Sequence, residues 1–283
     1  MSLCRTALFV SAMLTIAALA GAQTVAVTST PPAQSTVLGS TAVDWGSLSA
    51  RTTPVGQTRA VFDNPTPTLE KLEVHITTLL PGMMSHPPHH HPWEEMLLIK
   101  EGDVEVSING QKHRAGPGYL IFFASNDPHN LQNVGDKPAT YYVINFDTDL
   151  VHTVADKPAF EQAAPGKLAS SVIDCNSLPV TATATGSRVS VVSSPTLTFL
   201  TLQSHITTLN VGQSTALGMI DPGDEFVVLK SGSVEVTVNG VAARIEAGSV
   251  LYWSPNDKRT VRNIGTTPAS YQVIKVVSDK TPK

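Results

Sequence analysis

The sequence predicts an all-β protein built from one unit written twice. Three observations carry that expectation. The chain of 283 residues is rich in Val, Thr, Pro and Gly, and it has few stretches with Ala, Leu, Glu and Lys at helical spacing. Asn109-Gly110 and Asn239-Gly240 suit type I′ hairpin turns, whose two central residues take positive φ. The chain also repeats itself at a constant offset of 130 residues: His75-Ile76-Thr77-Thr78-Leu79 returns as His205-Ile206-Thr207-Thr208-Leu209, and Val104-Glu105-Val106 as Val234-Glu235-Val236.

Taken in order, residues 1–22 read as an export signal. Arg5 gives a positive start, Ala7 through Ala20 an apolar run, and Ala20-Gly21-Ala22 a small-x-small cleavage site before Gln23. Residues 23–40 are rich in Thr, Pro and Ser and are expected to be a flexible lead-in. The first unit is placed at 41–150, and its segment Asp103 to Ile108 alternates polar and apolar residues as a half-buried strand does. Residues 151–170, with Pro158, Pro165 and Gly166, are expected to link the units, and the second unit is placed at 171–278. Cleavage would discard Cys4 and leave Cys175 as a single thiol, so an internal disulfide is excluded and the core must supply the stability.

The chemistry is concentrated in the first unit. His89, His91 and Glu95 share strand parity, so one strand could aim all three inward, and His129 follows on the same chain. Imidazoles with a carboxylate suit manganese, iron, nickel, copper or zinc. His90 has the opposite parity and is left out, as is His86. Gly82 precedes this group, Gly102 follows Glu95 after six residues, and Gly118 and His129-x3-Asn133 come later. This pattern resembles the two motifs of the cupin family, G-x5-H-x-H-x3/4-E-x6-G and G-x5-P-x-G-x2-H-x3-N. It departs in placing six residues between Gly82 and His89, and Ala124-Ser125-Asn126 where the family has Pro-x-Gly.

The resemblance implies two tandem cupin barrels of the jelly-roll (double-stranded β-helix) type. It implies one divalent transition metal held by His89, His91, Glu95 and His129. Met84, Trp93, Phe122 and Phe123 are candidate pocket walls. Asn133 could orient a ligand, but its recurrence as Asn263 favours a role at the strand end. His75 and His205 also recur, and for the same reason they are assigned to structure. At the aligned positions the second unit carries Met219, Asp221, Glu225 and Arg259, a degenerate site in which Arg259 is expected to pair with Asp221 or Glu225.

The function expected by resemblance is metal-dependent oxidoreduction of a small molecule, of dioxygenase, oxidase or decarboxylase type. A redox-neutral isomerase or hydrolase and a non-catalytic metal- or ligand-binding protein are the alternatives. Oxalate decarboxylases are also bicupins, but they typically keep both metal sites. The formal net charge of −4, without a basic block, recommends neither nucleic acid nor an anionic membrane as partner. Exposed strands leave homo-oligomerisation open.

Overall fold

The computed structural model describes residues 26–28, 36–162 and 165–283, so the expected signal segment at 1–22 lies outside the described residues. Strand alternation decides which side chains reach a barrel interior. Along Lys71–Leu79, Leu72, Val74 and Ile76 are buried on one face, while Glu73, His75 and Thr77 are half-buried on the other. That strand pairs antiparallel with Gly56–Asn64 and with Ala139–Asp147, and Ala139–Asp147 pairs in turn with Glu94–Glu101. Glu94–Glu101 pairs with Tyr119–Phe123 to extend a seven-stranded sheet. A three-stranded sheet of His129–Asn133, Val104–Ile108 and Gln111–Ala115 completes the first barrel. Between the two sheets lies an interior cluster that includes Leu97, Ile99, Val106, Phe123 and Leu131. The second unit repeats the plan, with interior residues such as Val227, Leu229, Val236 and Trp253.

The outer faces of the two large sheets pack against each other. This shared core draws Val74, Met96, Leu98 and Phe122 from the first unit and Phe199, Phe226, Val228 and Tyr252 from the second. Such a strand is covered on both faces, which is why Glu94 through Ile99 is buried without interruption. Polar ties cross the same interface. The Tyr142 hydroxyl donates to the Gly248 carbonyl at 2.9 Å, and the Thr196 hydroxyl donates to Glu94 at 2.5 Å.

The connections correct the expected boundaries. Thr41–Val43, placed by sequence in the first barrel, pairs with the Val250–Trp253 strand of the second. Ser171–Asp174, placed in the second, pairs with Tyr119–Phe122 of the first. Each unit thus gives its first strand to the other barrel. The exchange covers an edge strand whose amides would otherwise be open to further pairing. The 151–170 segment is therefore not the crossing: it folds back on the first barrel, where Asn126 donates to the Ala155 carbonyl at 3.0 Å. The crossing comes after Asp174. Part of the lead-in at 23–40 is also fixed. Ala26–Thr28 pairs parallel with Thr41–Val43, Leu38 is only 2% exposed in the shared core, and the Ser40 hydroxyl donates to Asp257 at 2.6 Å.

The motif glycines have a steric reason. Gly102 takes φ +84°, and a Cβ there would lie 2.5 Å from the Ala139 Cα; Gly232 repeats this with φ +81° and 2.8 Å to the Ala269 Cα. Gly102→Val is expected to cost at least about 2 kcal/mol of unfolding free energy by urea denaturation, since it adds both backbone strain and a clash. An unchanged midpoint would show that the turn relaxes freely.

Candidate metal centre

The chain does not run as one strand through the expected ligands. His89 lies in an isolated bridge to His129, with amide-to-carbonyl hydrogen bonds of 2.9 and 3.2 Å between the two residues. Glu95 belongs to the next strand, on the large sheet, where it pairs with Phe123 and Asn145. The segment around Pro92 carries the chain from one sheet to the other, because proline fixes φ and donates no ladder hydrogen bond. The turn that departs from the family pattern is held by Asn126. It adopts φ +60°, which asparagine tolerates, and its amide donates to the His91 carbonyl at 2.8 Å.

His89, His91 and His129 come together with one ring nitrogen from each, all within 4.8 Å of one another. Glu95 stands beside them, its Oε2 3.4 Å from His91 Nε2. His91 Nδ1 donates to the Trp93 carbonyl and His129 Nδ1 to the Asp127 carbonyl, both at 2.8 Å. Those bonds fix the tautomer and leave each Nε2 with a free lone pair. Both Nε2 atoms are buried and have no hydrogen-bond partner among the described residues. A buried acceptor without a partner is costly, and a metal ion is the kind of group that would satisfy these two nitrogens together with His89 and the Glu95 carboxylate. The ring planes are held as well: Trp93 stacks on His91 at 4.5 Å and Phe123 on His129 at 4.1 Å between centroids.

The electrostatics favour the ligand forms. Burial brings the His129 pKa down to about 4, and burial together with His86 and His91 lowers that of His89. Burial works against the Glu95 charge, but the neighbouring His91 and His129 side chains outweigh it and keep the carboxyl below its usual value. Neutral imidazoles beside a carboxylate are what a divalent cation binds.

The centre opens into a cavity of about 570 Å³ whose wall includes Arg51, His75, Trp93, Phe123, Tyr141 and Asn145. Phe122 is corrected: strand alternation turns it into the shared core between the barrels, and Phe123 takes the expected place. Met84 also lies off the cavity wall, 37% exposed, with its sulfur accepting from Asn130. Asn133 takes the strand-end role: it donates to the Leu79 and Lys137 carbonyls and accepts from the Gly135 amide, and Asn263 does the same in the second unit. His90 is exposed.

Two histidines set aside on the sequence do reach the cavity. His86 lies 3.9 Å from His89 between ring centroids, and His75 donates from Nδ1 to Glu73 at 2.8 Å. The parity that His75 shares with Glu73 and Thr77 on the interior face of its strand was the available signal. In the second barrel Arg259 pairs with Glu225 at 2.7 Å, one of the two partners expected. Asp221 instead pairs with Lys275 at 2.9 Å. Lys275 was missed, although it stands at the repeat position of Asn145. Met219 is exposed and is bridged to Arg259 by backbone hydrogen bonds.

Residues 75–145 and again 205–275 match the Cupin_2 family model, a cupin domain. The chain is a bicupin. Its fold is similar to that of oxalate decarboxylase from Lactobacillus farciminis, with a TM-score of 0.63 at 16% identity over 86% of this chain and 87% of that one. A deletion mutant of the Bacillus subtilis oxalate decarboxylase OxdC is similar to the same degree, with a TM-score of 0.62, 16% identity, and 87% and 79% of the two chains covered. AerE from Microcystis aeruginosa gives 0.61 at 11% identity over 85% of the bicupin and 98% of its own chain. At these identities the likeness is one of fold. One curated relative, the HTH-type transcriptional activator RhaS of Mannheimia succiniciproducens, is 29% identical over 58 residues. That match covers 20% of the bicupin and 22% of the activator.

Proposed function

We propose that His89, His91, His129 and Glu95 hold one divalent transition metal, and that the bicupin is an exported metal-dependent oxidoreductase acting on a small carboxylate. The observation that carries this reading is the convergence of His91 and His129 Nε2, buried and without hydrogen-bond partners among the described residues, beside His89 and Glu95. When bound, the metal would supply open coordination positions for a chelating substrate, water or dioxygen, with dioxygenase, oxidase or decarboxylase chemistry as the outcome.

The chain's own groups have separate tasks. The Trp93 and Asp127 carbonyls hold the two imidazoles in the metal-ready tautomer. Arg51 on the cavity wall offers a cation to a substrate carboxylate. His75 Nε2 can hold or release a proton: although burial opposes its charge, the bond and charge of Glu73 and the charge of Glu95 raise its pKa above 6.5. Asn145 keeps Glu73 in place with a 2.7 Å hydrogen bond. A carboxylate substrate also agrees with two of the similar structures, which are oxalate decarboxylases.

The test uses mature protein purified without an affinity tag, with an intact mass that begins at Gln23. Elemental analysis is expected to find about one equivalent of manganese, iron, copper or nickel per chain. Turnover of small carboxylates, followed as dioxygen consumption or carbon dioxide release, should vanish after chelation and return with that metal. Zinc at the same stoichiometry would move the reading to isomerase or hydrolase chemistry. No stoichiometric metal after reconstitution would overturn it.

A further inference from the structure

The second barrel keeps a cavity of about 320 Å³ but lines it with different charged groups. At the repeat positions Glu225 stands for Glu95, Arg259 for His129 and Lys275 for Asn145. Three cations line this cavity, Arg188, Arg259 and Lys275, against two carboxylates. Both carboxylates are committed, Glu225 to Arg259 at 2.7 Å and Asp221 to Lys275 at 2.9 Å. Arg188, which is exposed, makes no ion pair among the described residues.

The histidine common to both units reports the difference. In the first barrel, acidic neighbours raise the pKa of His75 against the effect of burial. In the second, burial and then Arg188, Lys275 and Arg259 push His205 down to about 4. The second cavity carries three cations against two carboxylates, an excess that favours an anion.

The wall adds a donor. Trp253 is 4% exposed and lines this cavity, and its indole nitrogen has no hydrogen-bond partner among the described residues. Indole can only donate, so an acceptor is the group missing from it. The Arg259 guanidinium lies 5.1 Å from the centre of the Trp253 ring, which fixes the cation against the wall. Val261 and Val273 give the same cavity apolar surface suited to a carbon skeleton.

We propose that the second barrel is a metal-independent binding site for a small organic carboxylate, held by Arg188, Arg259 and Lys275 with the Trp253 indole N–H as a further donor. A guanidinium carries positive charge but offers no open coordination position, so this site holds its anion by charge-assisted hydrogen bonds and not by coordination. The assignment does not depend on the reaction of the first barrel.

The test is calorimetric titration of malonate and succinate into the full chain carrying His91→Ala and treated with chelator, so that no metal in the first barrel can bind the acid. Malonamide and succinamide serve as neutral counterparts and sulfate as an inorganic anion. The expected result is one equivalent of dicarboxylate bound, with no binding of the amides and weaker binding of sulfate. Arg188→Ala and Lys275→Met should each weaken affinity about tenfold or more, while Arg114→Ala, an exposed arginine that lines neither cavity, should not. Arg188 is at the surface, so its variant should fold even if Lys275→Met does not. Absence of dicarboxylate binding, equal binding of the amides or of sulfate, or loss through Arg114→Ala in place of the second-barrel variants would each overturn the proposal.

Discussion

His91→Ala is expected to abolish stoichiometric metal binding by the bicupin, with metal affinity falling by more than about a hundredfold. Even groups that only orient a ligand are typically worth 10–100-fold, and His91 is placed to coordinate directly. His129→Ala should behave in the same way, because both residues present a buried Nε2 with its tautomer fixed by a backbone carbonyl. Glu95→Gln should weaken binding less, since it removes charge but leaves an oxygen. The informative control is His90→Ala. His90 sits within the same run of histidines but is exposed, with Nδ1 3.5 Å from the Asn126 side-chain oxygen. If the run were an adventitious chelator, His90→Ala and His91→Ala would lose metal alike. Elemental analysis of the three histidine variants after gel filtration decides between these cases. Circular dichroism would confirm that each is folded.

The second large effect is expected at Glu94, next to the proposed ligand Glu95 in sequence but turned to the opposite face of its strand. It is fully buried in the interface between the barrels. Its carboxyl accepts from the Thr196 hydroxyl at 2.5 Å, the Thr198 hydroxyl at 2.8 Å and the Leu197 amide at 3.1 Å. Burial outweighs those donors and pushes its pKa from 4.5 up to about 7. Between those two values the folded protein holds a proton that the unfolded chain has released. Stability from this group is therefore fully present below 4.5 and is lost as the pH rises through about 7, by up to about 3 kcal/mol.

Glu94→Gln stays neutral throughout and should remove this part of the pH dependence. Glu94→Ala should lose about 1–3 kcal/mol at pH 5, because it strands the Leu197 amide and the threonine hydroxyls. Urea denaturation at several pH values between 5 and 8 reads both effects. Parallel profiles for wild type and Glu94→Gln would mean that Glu94 does not retain its proton on folding. A residual slope of the same sign is expected from Asp224, the repeat counterpart of Glu94. Its carboxyl is also raised by burial and accepts from the Thr68 and Tyr252 hydroxyls.

Much of the bicupin was legible in the residues because the relevant signals are local or periodic. The offset between units, the two Asn-Gly turns and the alternation along strands define the repeated all-β unit. The histidine motif keeps its ligand spacing, and the fold brings His89, His91 and His129 together. The loss of the motif in the second unit, and the pairing of Arg259 with a carboxylate, could also be read from aligned positions.

What the sequence could not decide depends on where distant strands meet. Parity says that Phe122 and Phe123 face opposite ways, but only the packing of one sheet on the other shows that Phe122 serves the shared core and Phe123 the cavity. His75 looked structural because it recurs, yet its strand lies beside the one that carries Asn145, and its ring joins the cavity. Lys275 meets Asp221 from 54 residues away, across a pairing that no local pattern specifies. The exchange of Thr41–Val43 and Ser171–Asp174 between barrels is the largest such case. A short strand carries little information about its partner, since backbone hydrogen bonds are the same in either sheet. The partner is chosen by which edge, once the barrels have packed, leaves amides to be paired and apolar side chains to be covered.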